Sequence, residues 1–230
     1  MNALPLFYFS SLAPSASVID LDDTIRHHAV TVLRMSEGEK MLLTNGKGIS
    51  ATATIIRSSK KQLSVQLHDF IEHPNLSRKL ILGISLLKNA ARFEWMLEKV
   101  TEIGITEIYP LRCERTEKQH YKKERFEQII ISACLQSQQF HFPILHEPIA
   151  LREMLDQSLP NQKFIAHCME GDKTLLSHPS GDAALLIGPE GDFTAQEIDK
   201  AIVQQFIPVS LGNTRLRTET AGIVGAVLMR

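Results

Sequence analysis

An uninterrupted apolar segment at residues 80–87, LILGISLL, constrains the fold more than any other feature of the sequence. A run of this length without polar alternation is typical of a strand that is buried on both faces of a parallel sheet. The next apolar residues are spaced as on one buried helix face, and Gly104 stands where such a helix would end. These helix residues are Phe93, Met96, Leu97 and Val100. Because parallel strands are joined by crossovers, usually helices, this order predicts the start of a parallel α/β sheet.

Strand and helix patterns continue to alternate through the rest of the chain. Strand patterns surround Ile108 and occupy residues 163–168, 183–187 and 207–211. Helical patterns occupy residues 126–133, 195–205 and 222–228. Such alternation is typical of α/β domains, so we predict one α/β domain over residues 73–230.

The first 72 residues have the pattern of short antiparallel strands instead. Residues 40–44 lead into Asn45-Gly46, a strong hairpin signal, and a second strand follows at residues 52–56. Residues 62–67 alternate polar and apolar side chains, as a half-buried strand does. With a short helix expected at residues 24–33, the pattern predicts a small β-barrel over residues 1–72. Turn residues at 73–77 mark the expected linker.

Charge and cysteine content exclude several classes of protein. The chain has 25 Lys and Arg against 26 Asp and Glu, so a nucleic acid would have to bind at a local basic patch. Three unevenly spaced cysteines fit neither a disulfide framework nor a metal knuckle, which favours reduced thiols. No apolar run is long enough to span a bilayer, and the first basic residue, Arg26, comes too late for a secretory signal. These features predict a soluble cytoplasmic protein with no membrane partner.

Residues 185–194, LLIGPEGDFT, contain the first candidate ligand site. A buried strand ends at residues 188–191, and Thr194 with Glu197 has the spacing of a helix capping box. Glycines at 188 and 191 would let backbone groups approach a ligand, and such loops gather at the carboxyl ends of parallel strands. Taken alone, the segment is better explained as a tight strand-to-helix turn.

A second glycine turn changes that interpretation. Leu211-Gly212 ends another strand, and NTRLRTETA at residues 213–221 leads into a helix of small apolar residues. Thr218 is the expected N-cap, and a helix N-terminus favours an anionic group. The small residues behind Arg217 and Glu219 favour close packing over a solvated surface pair. Together the two turns favour a ligand site over two ordinary turns.

Other site patterns are absent from the sequence. It contains no dinucleotide-binding GxGxxG, no phosphate-binding GxxxxGK[ST] and no GxSxG nucleophile turn. His27-His28 has no carboxylate at helical ligand spacing, and adjacent side chains diverge, so no metal site is predicted.

The two glycine turns resemble the signature of a known family. LIGPEG at residues 186–191, LG at 211–212 and LRTETA at 216–221 are similar to the RsmE family. These bacterial enzymes methylate N3 of a uridine in 16S ribosomal RNA with S-adenosylmethionine. His27-His28, residues 32–34 and Gly38 resemble the family's PUA-like RNA-binding domain. The residues that resemble the start of its catalytic domain are Lys88, Glu94, Lys99, Glu102, Gly104, Glu114 and Arg115.

This resemblance implies a SPOUT fold, in which the C-terminal segment of the α/β domain threads through a loop to form a trefoil knot. It also implies a homodimer that acts on the small ribosomal subunit, with the cofactor bent inside the knot. The residues expected around S-adenosylmethionine are His167, Ile187, Gly188, Pro189, Glu190, Gly191, Leu211, Gly212, Leu216, Arg217, Thr218, Thr220 and Ala221. The sequence departs from the family pattern at Asp192, where glycine is usual, and at Leu135 and Gln139, where Glu and Arg are usual.

Methylation at N3 predicts roles for two residues of the second turn. Because N3 is mostly protonated at neutral pH, the site must help it lose the proton or stabilise the resulting anion. Arg217 is the candidate for stabilising the anion, and Glu219 is the candidate for taking the proton or orienting Arg217. The alternative is that the two residues only hold the loop.

RNA contact is predicted for a scattered set of basic residues. These are Arg34, Lys60, Lys61, Lys88, Arg112 and Arg115. The best basic patch, residues 112–125, has six basic and three acidic residues, although a solvated loop explains it equally well. Two other functions stay open: methylation of another RNA position, and a non-catalytic RNA-binding factor of ribosome assembly.

Overall fold

The computed structural model describes residues 4–15, 17–74, 77–117 and 121–230. The chain divides into two compact units. The N-terminal unit comprises Met1–Leu76 and Cys134–Phe142, and the C-terminal unit comprises Ser77–Ala133 and Pro143–Arg230. The short segment Cys134–Phe142 had no sequence signal that separated it from its surroundings.

The N-terminal unit is built on one five-stranded sheet with the strand order β1-β3-β4-β5-β2. The strands are β1 Leu6–Tyr8, β2 Val18–Asp20, β3 Lys40–Thr44, β4 Ile49–Ser58 and β5 Leu63–Glu72. β1 runs parallel to β3, and every other neighbouring pair in this sheet is antiparallel. Within the described residues no hydrogen-bonded pairing joins β1 to β2, so the sheet does not close into the expected barrel.

Alternating side chains of the three long strands form the core of this unit. Apolar residues at every second position turn inward, as the period of a strand requires. They are Met41, Leu43, Ala51, Ala53, Ile55, Leu63, Val65 and Leu67, each at most 5% exposed. β1 was not predicted, because three residues are too short to show a period.

The hairpin between β3 and β4 forms at the predicted Asn45-Gly46. The Asn45 side chain accepts hydrogen bonds from the backbone N–H groups of Lys47 and Ile49, at 2.8 and 3.1 Å. Gly46 and Gly48 have φ angles of 68° and 90°, which favour glycine. The turn therefore occupies residues 45–48 rather than the dipeptide alone.

The predicted helix at residues 24–33 is present, but in two forms. Helix α1, Asp23–Arg26, begins at Asp22, whose side chain accepts a hydrogen bond from the Ile25 N–H at 2.9 Å. A π-helical turn, His27–Val32, continues it. Ile25 and Ala29 are buried in the core of the unit.

Cys134–Phe142 belongs to the N-terminal unit through backbone contacts with the β3–β4 turn. The Gly48 N–H donates to the Phe140 carbonyl, and the Phe142 N–H donates to the Gly46 carbonyl, both at 2.8 Å. The Phe140 ring also stacks on His73, with 3.7 Å between ring centroids. Backbone pairing between residues so distant in sequence has no local signal.

The C-terminal unit is an eight-stranded sheet in which every neighbouring pair is parallel. Its order is β11-β13-β10-β12-β6-β7-β8, with β9 also paired to β7. The strands are β6 Leu80–Ser85, β7 Glu107–Arg112, β8 Ile144–Leu145, β9 Ile149–Ala150, β10 Gln162–Ala166, β11 Thr174–Leu175, β12 Ala183–Ile187 and β13 Ile207–Ser210. The helices are α2 Ala90–Ile103, α3 Lys123–Gln136, α4 Leu151–Leu155, α5 Ala195–Val203 and α6 Thr218–Met229. The predicted mixed α/β architecture is confirmed.

Helix α2 follows the sequence pattern closely. The Asn89 side chain accepts from the N–H groups of Ala91 and Arg92 at 3.0 and 3.3 Å, which caps the helix start. Gly104 ends the helix at a φ of 101°. The predicted stripe, Phe93, Met96, Leu97 and Val100, is at most 1% exposed.

Helix α6 lies against the two central strands, β6 and β12, and its glycines allow the close approach. A Cβ on Gly222 would lie 2.7 Å from Ile84 Cδ1, and one on Gly225 would overlap Leu185 Cδ2.

Across the described part of the chain, none of the helices combines the length and apolar character needed to cross a bilayer.

An ion-pair cluster is centred on Glu107 at the start of β7. The Glu107 carboxylate lies 2.6 Å from Lys79 Nζ and 2.9 Å from His146 Nε2, and the Tyr109 hydroxyl donates to it at 3.3 Å. Burial raises the pKa of Glu107, but hydrogen bonds from Lys79 and His146 outweigh it, and the net pKa lies below the ordinary value. Burial, with the charge of Glu107, raises the pKa of Tyr109 to about 12.

Candidate functional site

The two glycine turns lie at the carboxyl ends of β12 and β13, the two strands that flank β10, and enclose one cavity of about 760 Å³. Its walls are residues 166–168, 187–190 and 209–219, together with Arg92, Lys173, Asp192 and Ala221. The volume falls within the range of about 300–1,000 Å³ that is usual for small-molecule sites. Of the residues predicted around the cofactor, all but Gly191 and Thr220 line this cavity.

The first turn is held by the packing of Phe193. The Asp192 N–H donates to the Pro189 carbonyl at 2.9 Å, which closes the turn. A Cβ on Gly188 would lie 3.1 Å from the Phe193 backbone nitrogen and 3.0 Å from its fully buried ring. A side chain at 188 would therefore crowd Phe193, so glycine favours the fold of this turn.

A capping box fixes the helix that follows this turn. Thr194 is the N-cap of α5, and its hydroxyl accepts from the Glu197 N–H at 3.3 Å. The Glu197 side chain accepts from the Thr194 N–H at 2.9 Å, so the predicted capping box is confirmed. Gly191 lies outside the cavity wall, and its carbonyl accepts from Arg115 Nη1 at 2.8 Å.

Asp192 links the first turn to the loop after β10. Its carboxylate accepts hydrogen bonds from the backbone N–H of Cys168 at 2.8 Å and from its own neighbour Phe193 at 2.9 Å. Its φ is 64°, a conformation that usually favours glycine and that Asp tolerates better than most residues. Two walls of the cavity are thus tied together by a side chain at a position where the family usually has none.

His167 forms the third wall and offers two hydrogen-bonding atoms to the cavity. Both ring nitrogens are buried, and neither has a hydrogen-bond partner within the described residues. Burial lowers the pKa of His167, and the charge of Lys173 lowers it further, while Asp192 and the Met169 backbone oppose the shift. A polar group of a ligand would satisfy these buried ring nitrogens.

The second turn places the N-terminus of α6 in the cavity wall. The Ser210 hydroxyl donates to the Gly212 carbonyl at 2.8 Å, and Gly212 has a φ of 137°. The N-cap of α6 is Arg217 and no side chain caps the helix, so the prediction that Thr218 is the N-cap is wrong. Thr218 is instead the first residue of the helix and is buried. The helix therefore starts one residue earlier than predicted.

Arg217 and Glu219 do not pair with each other within the described residues. Arg217 is exposed, whereas Glu219 is buried and its carboxylate lies 3.7 Å from Arg92 Nε. The pairing of Glu219 with Arg92 was not predicted from the sequence. Arg92 lies on α2, which is distant in sequence from Glu219 on α6, and the sequence around Arg92 gives no indication of this partner.

The predicted RNA-binding residues are distributed over both units. Arg34, Lys60 and Lys61 are exposed on the N-terminal unit, where the Lys60 carbonyl accepts from Arg26. In the C-terminal unit, Arg112 is exposed at the end of β7.

The predicted basic patch at residues 112–125 is partly neutralised by carboxylates from outside it. Lys123 lies 2.6 Å from Glu147, and Arg125 lies 2.9 Å from Glu94. Lys88 likewise lies 2.8 Å from Glu117, which raises the pKa of Lys88. Lys118 lies outside the described residues.

Two of the departures from the family pattern lie at the end of α3. Leu135 is half-buried, and the Gln139 side chain donates to the Ser137 hydroxyl at 2.9 Å.

Among the described residues, no three His, Cys, Asp or Glu side chains are grouped as metal ligands.

Comparison with known proteins assigns the chain to a family. Residues 74–230 match the family model described as RNA methyltransferase domain, which covers more than half of the chain. The chain belongs to the RNA methyltransferase family. Residues 21–67 also match the RNA methyltransferase PUA domain, so the resemblance identified from the two glycine turns and the N-terminal residues is confirmed.

Relatives of this RNA methyltransferase are similar over almost its whole length. The ribosomal RNA small subunit methyltransferase E of Rickettsia conorii is 28% identical over 98% of this chain and 94% of its own. A probable rRNA-methyltransferase from Porphyromonas gingivalis is 35% identical, with a TM-score of 0.89 over 97% of this chain and 95% of its own. A ribosomal RNA small subunit methyltransferase E from Neisseria gonorrhoeae, bound to S-adenosyl methionine, is 30% identical, with a TM-score of 0.86 over 97% and 96%.

Proposed function

We propose that the protein methylates N3 of a uridine in the 16S ribosomal RNA of the small ribosomal subunit, with S-adenosylmethionine as the methyl donor. The observation that supports this most directly is the cavity between the two glycine turns, with its unpartnered His167. The Neisseria gonorrhoeae relative, similar over nearly the whole chain, is bound to that cofactor.

The cavity residues suit the two ends of the cofactor. Ile187, Leu211 and Leu216 supply apolar surface for the adenine. The uncapped N-terminus of α6 favours an anionic group such as the methionine carboxylate. Burial lowers the pKa of His167 and so favours its neutral imidazole, whose two buried ring nitrogens can donate to or accept from a polar group of the ligand.

When bound, the cofactor would supply an electrophilic methyl group on a positively charged sulfur, and the uridine N3 would give up its proton to water at the cavity mouth. Arg217 is exposed at the cavity mouth, where its charge stabilises the anion that forms on the uracil. Glu219, the second candidate, is held by Arg92, and we assign it the role of positioning Arg92 at the same mouth.

The finer features of the fold belong to the same proposal. β13 lies next to β10, yet the chain that follows it returns to place α6 against β6 and β12. That return path is the course expected of a C-terminal segment that forms a trefoil knot with residues 188–194. We assign the N-terminal sheet, although it is open, to the PUA-like RNA-binding domain of the resemblance, with RNA contacts through Arg34, Lys60 and Lys61.

A homodimer that acts on assembled small subunits in the cytoplasm completes the proposal. Between Gly222 and Met229, α6 carries no charged side chain, and Val227 is 51% exposed. Apolar surface on such a helix favours a protein partner. Sedimentation at working concentration tests this: a monomer with full activity on a short uridine oligonucleotide would contradict both the dimer and the assembled substrate.

Mass mapping of nucleotides tests the central claim. Small subunits that lack the modification are incubated with the protein and labelled S-adenosylmethionine, and one N3-methylated uridine is expected. A methyl group at another atom or nucleotide would favour a different RNA position. Absence of saturable cofactor binding would favour a non-catalytic assembly factor.

Arg217→Ala separates catalysis from loop structure. We expect this variant to bind S-adenosylmethionine normally and to lose turnover, because the lost charge acts on the uracil anion. Arg152→Ala, on α4 with a side chain 81% exposed, is the matched control and should retain turnover. Loss of cofactor affinity in Arg217→Ala would assign Arg217 a structural role instead.

A further inference from the structure

A second cavity, of about 570 Å³, lies next to the cofactor cavity. It is lined by the first turns of α2 and by the segment that leads into α6. The residues that line both cavities are Arg92, Arg215, Leu216, Arg217 and Glu219. Because the cavities share these residues, a ligand in the second one lies beside the proposed methyl donor.

Trp95 is the distinctive side chain of this second cavity. It stands on the outward side of α2 and is 49% exposed, whereas Phe93, Met96 and Leu97 on the inner side are at most 1% exposed. It is also the single tryptophan of the chain. A large ring left half-exposed next to a polar cavity provides a flat surface on which another ring can stack.

The charges around Trp95 are predominantly positive. Arg92, Arg215 and Arg217 line the cavity, and Glu219 is the carboxylate that lines it with them. Glu219 lies 3.7 Å from Arg92 Nε, so Arg92 is anchored at the boundary between the two cavities. Guanidinium groups in this arrangement can donate to the carbonyl oxygens of a base or to a phosphate.

We infer that the second cavity receives a single unstacked pyrimidine nucleotide of RNA, with its base stacked on Trp95 and a polar group of the nucleotide held by Arg92. Enzymes that modify a base take it out of the helical stack, and aromatic side chains are the usual stacking partners of splayed bases. This inference rests on the proposed function and names the residues that hold the substrate base.

The test compares Trp95→Ala with Trp95→Phe in methylation of small subunits, with cofactor affinity measured in parallel. Trp95→Ala should lower kcat/KM about 5- to 150-fold, the equivalent of about 1–3 kcal/mol for one stacked base. Trp95→Phe should recover most of that loss, because it keeps a ring. Val203→Ala, on an 80% exposed apolar residue of α5, is the control and should be unchanged. Cofactor affinity should be the same in all of these proteins.

A direct binding measurement accompanies the kinetics. Since Trp95 is the single tryptophan, its fluorescence, excited at a wavelength that the three tyrosines do not absorb, reports on binding of uridine 5′-monophosphate near Trp95. We expect saturable quenching in the protein loaded with S-adenosylmethionine, and stronger quenching than with ribose 5-phosphate, which lacks the base.

Several outcomes would overturn the inference and leave the proposed function intact. Normal kcat/KM in Trp95→Ala, with an active unmodified enzyme, would exclude base stacking on Trp95. A change of sedimentation in Trp95→Ala would assign Trp95 to contact with a second copy of the chain. If the unmodified protein methylates nothing, the proposed function fails, and the fluorescence titration still decides whether the cavity binds the nucleotide.

Discussion

Alkylation of Cys168 provides a sharp test of where the cofactor binds. Cys168 lines the cavity and is exposed, whereas Cys113 and Cys134 are buried. Burial raises the pKa of each buried thiol to about 12. Because the thiolate is the reactive form, each buried thiol has only about one thiolate in 10⁴ at pH 8. Cys168 is exposed, whereas the other two thiols are buried as well as protonated, so iodoacetamide should alkylate Cys168 much faster than Cys113 or Cys134.

Saturating S-adenosylmethionine should then protect Cys168. If bound cofactor blocks the thiol, its alkylation rate falls by the factor by which free protein is depleted, about 100-fold at a ligand concentration of 100 Kd. Mass spectrometry of iodoacetamide-treated protein measures the rate at each cysteine. Methionine at the same concentration is the matched control and should not protect.

Two results would refute this reasoning. An unchanged Cys168 rate at a cofactor concentration that calorimetry shows to be saturating would place the cofactor away from residues 166–168. Rapid reaction of Cys113 or Cys134 in the folded protein would contradict their burial. Denaturation in urea, which should expose all three thiols equally, checks that the method detects each of them.

Three further predictions concern packing and charge. Asp192→Gly should weaken cofactor binding about tenfold, as measured by calorimetry. The variant loses a charge-assisted hydrogen bond between two cavity walls, worth about 1.5–3 kcal/mol, but glycine also relieves the backbone strain at a φ of 64°. Unchanged affinity would mean that Asp192 does not shape the cavity. Gly225→Ala should lower the unfolding free energy by about 1–3 kcal/mol in urea titration, because its methyl overlaps Leu185 in a closed core. Glu107→Gln should be less stable than the unmodified protein at pH 7, because hydrogen bonds from Lys79 and His146 lower the folded pKa of Glu107. The difference should begin to shrink as the pH falls through the ordinary carboxyl range and should vanish only below it, as the folded pKa is passed. A difference in stability that persists at still lower pH would contradict that origin.

Local patterns were sufficient to predict most elements of both sheets. The apolar run at residues 80–87 and the spacing of Phe93 to Val100 correspond to β6 and α2, and Thr194 with Glu197 marks the start of α5. These signals work because capping and burial act between residues close in sequence. Strands as short as β8, β9 and β11 give no such signal, since two residues have no period.

The candidate site was predictable only where it is made of continuous loops. Both glycine turns were identified because glycine, proline and threonine mark turns and caps locally. Arg92 and Asp192 were not assigned to the site, because their roles depend on Glu219 and on the Cys168 N–H, which approach from other parts of the chain. Thr218 was misassigned as a cap because a threonine before a helix can equally be its first buried residue.

The all-parallel C-terminal sheet has a consequence for how the protein becomes active. Each pair of neighbouring strands requires a crossover, and β6 pairs with β12 about a hundred residues further along the chain. Contacts of such sequence separation form slowly in folding. The first residues of α6 line the cavity, so a newly made chain has no complete binding site until α6 has docked on the sheet. A ligand that binds only the folded protein adds about 2.7 kcal/mol to its stability at a concentration of 100 Kd. The supply of methyl donor should therefore also affect how fast the enzyme is lost to unfolding and proteolysis.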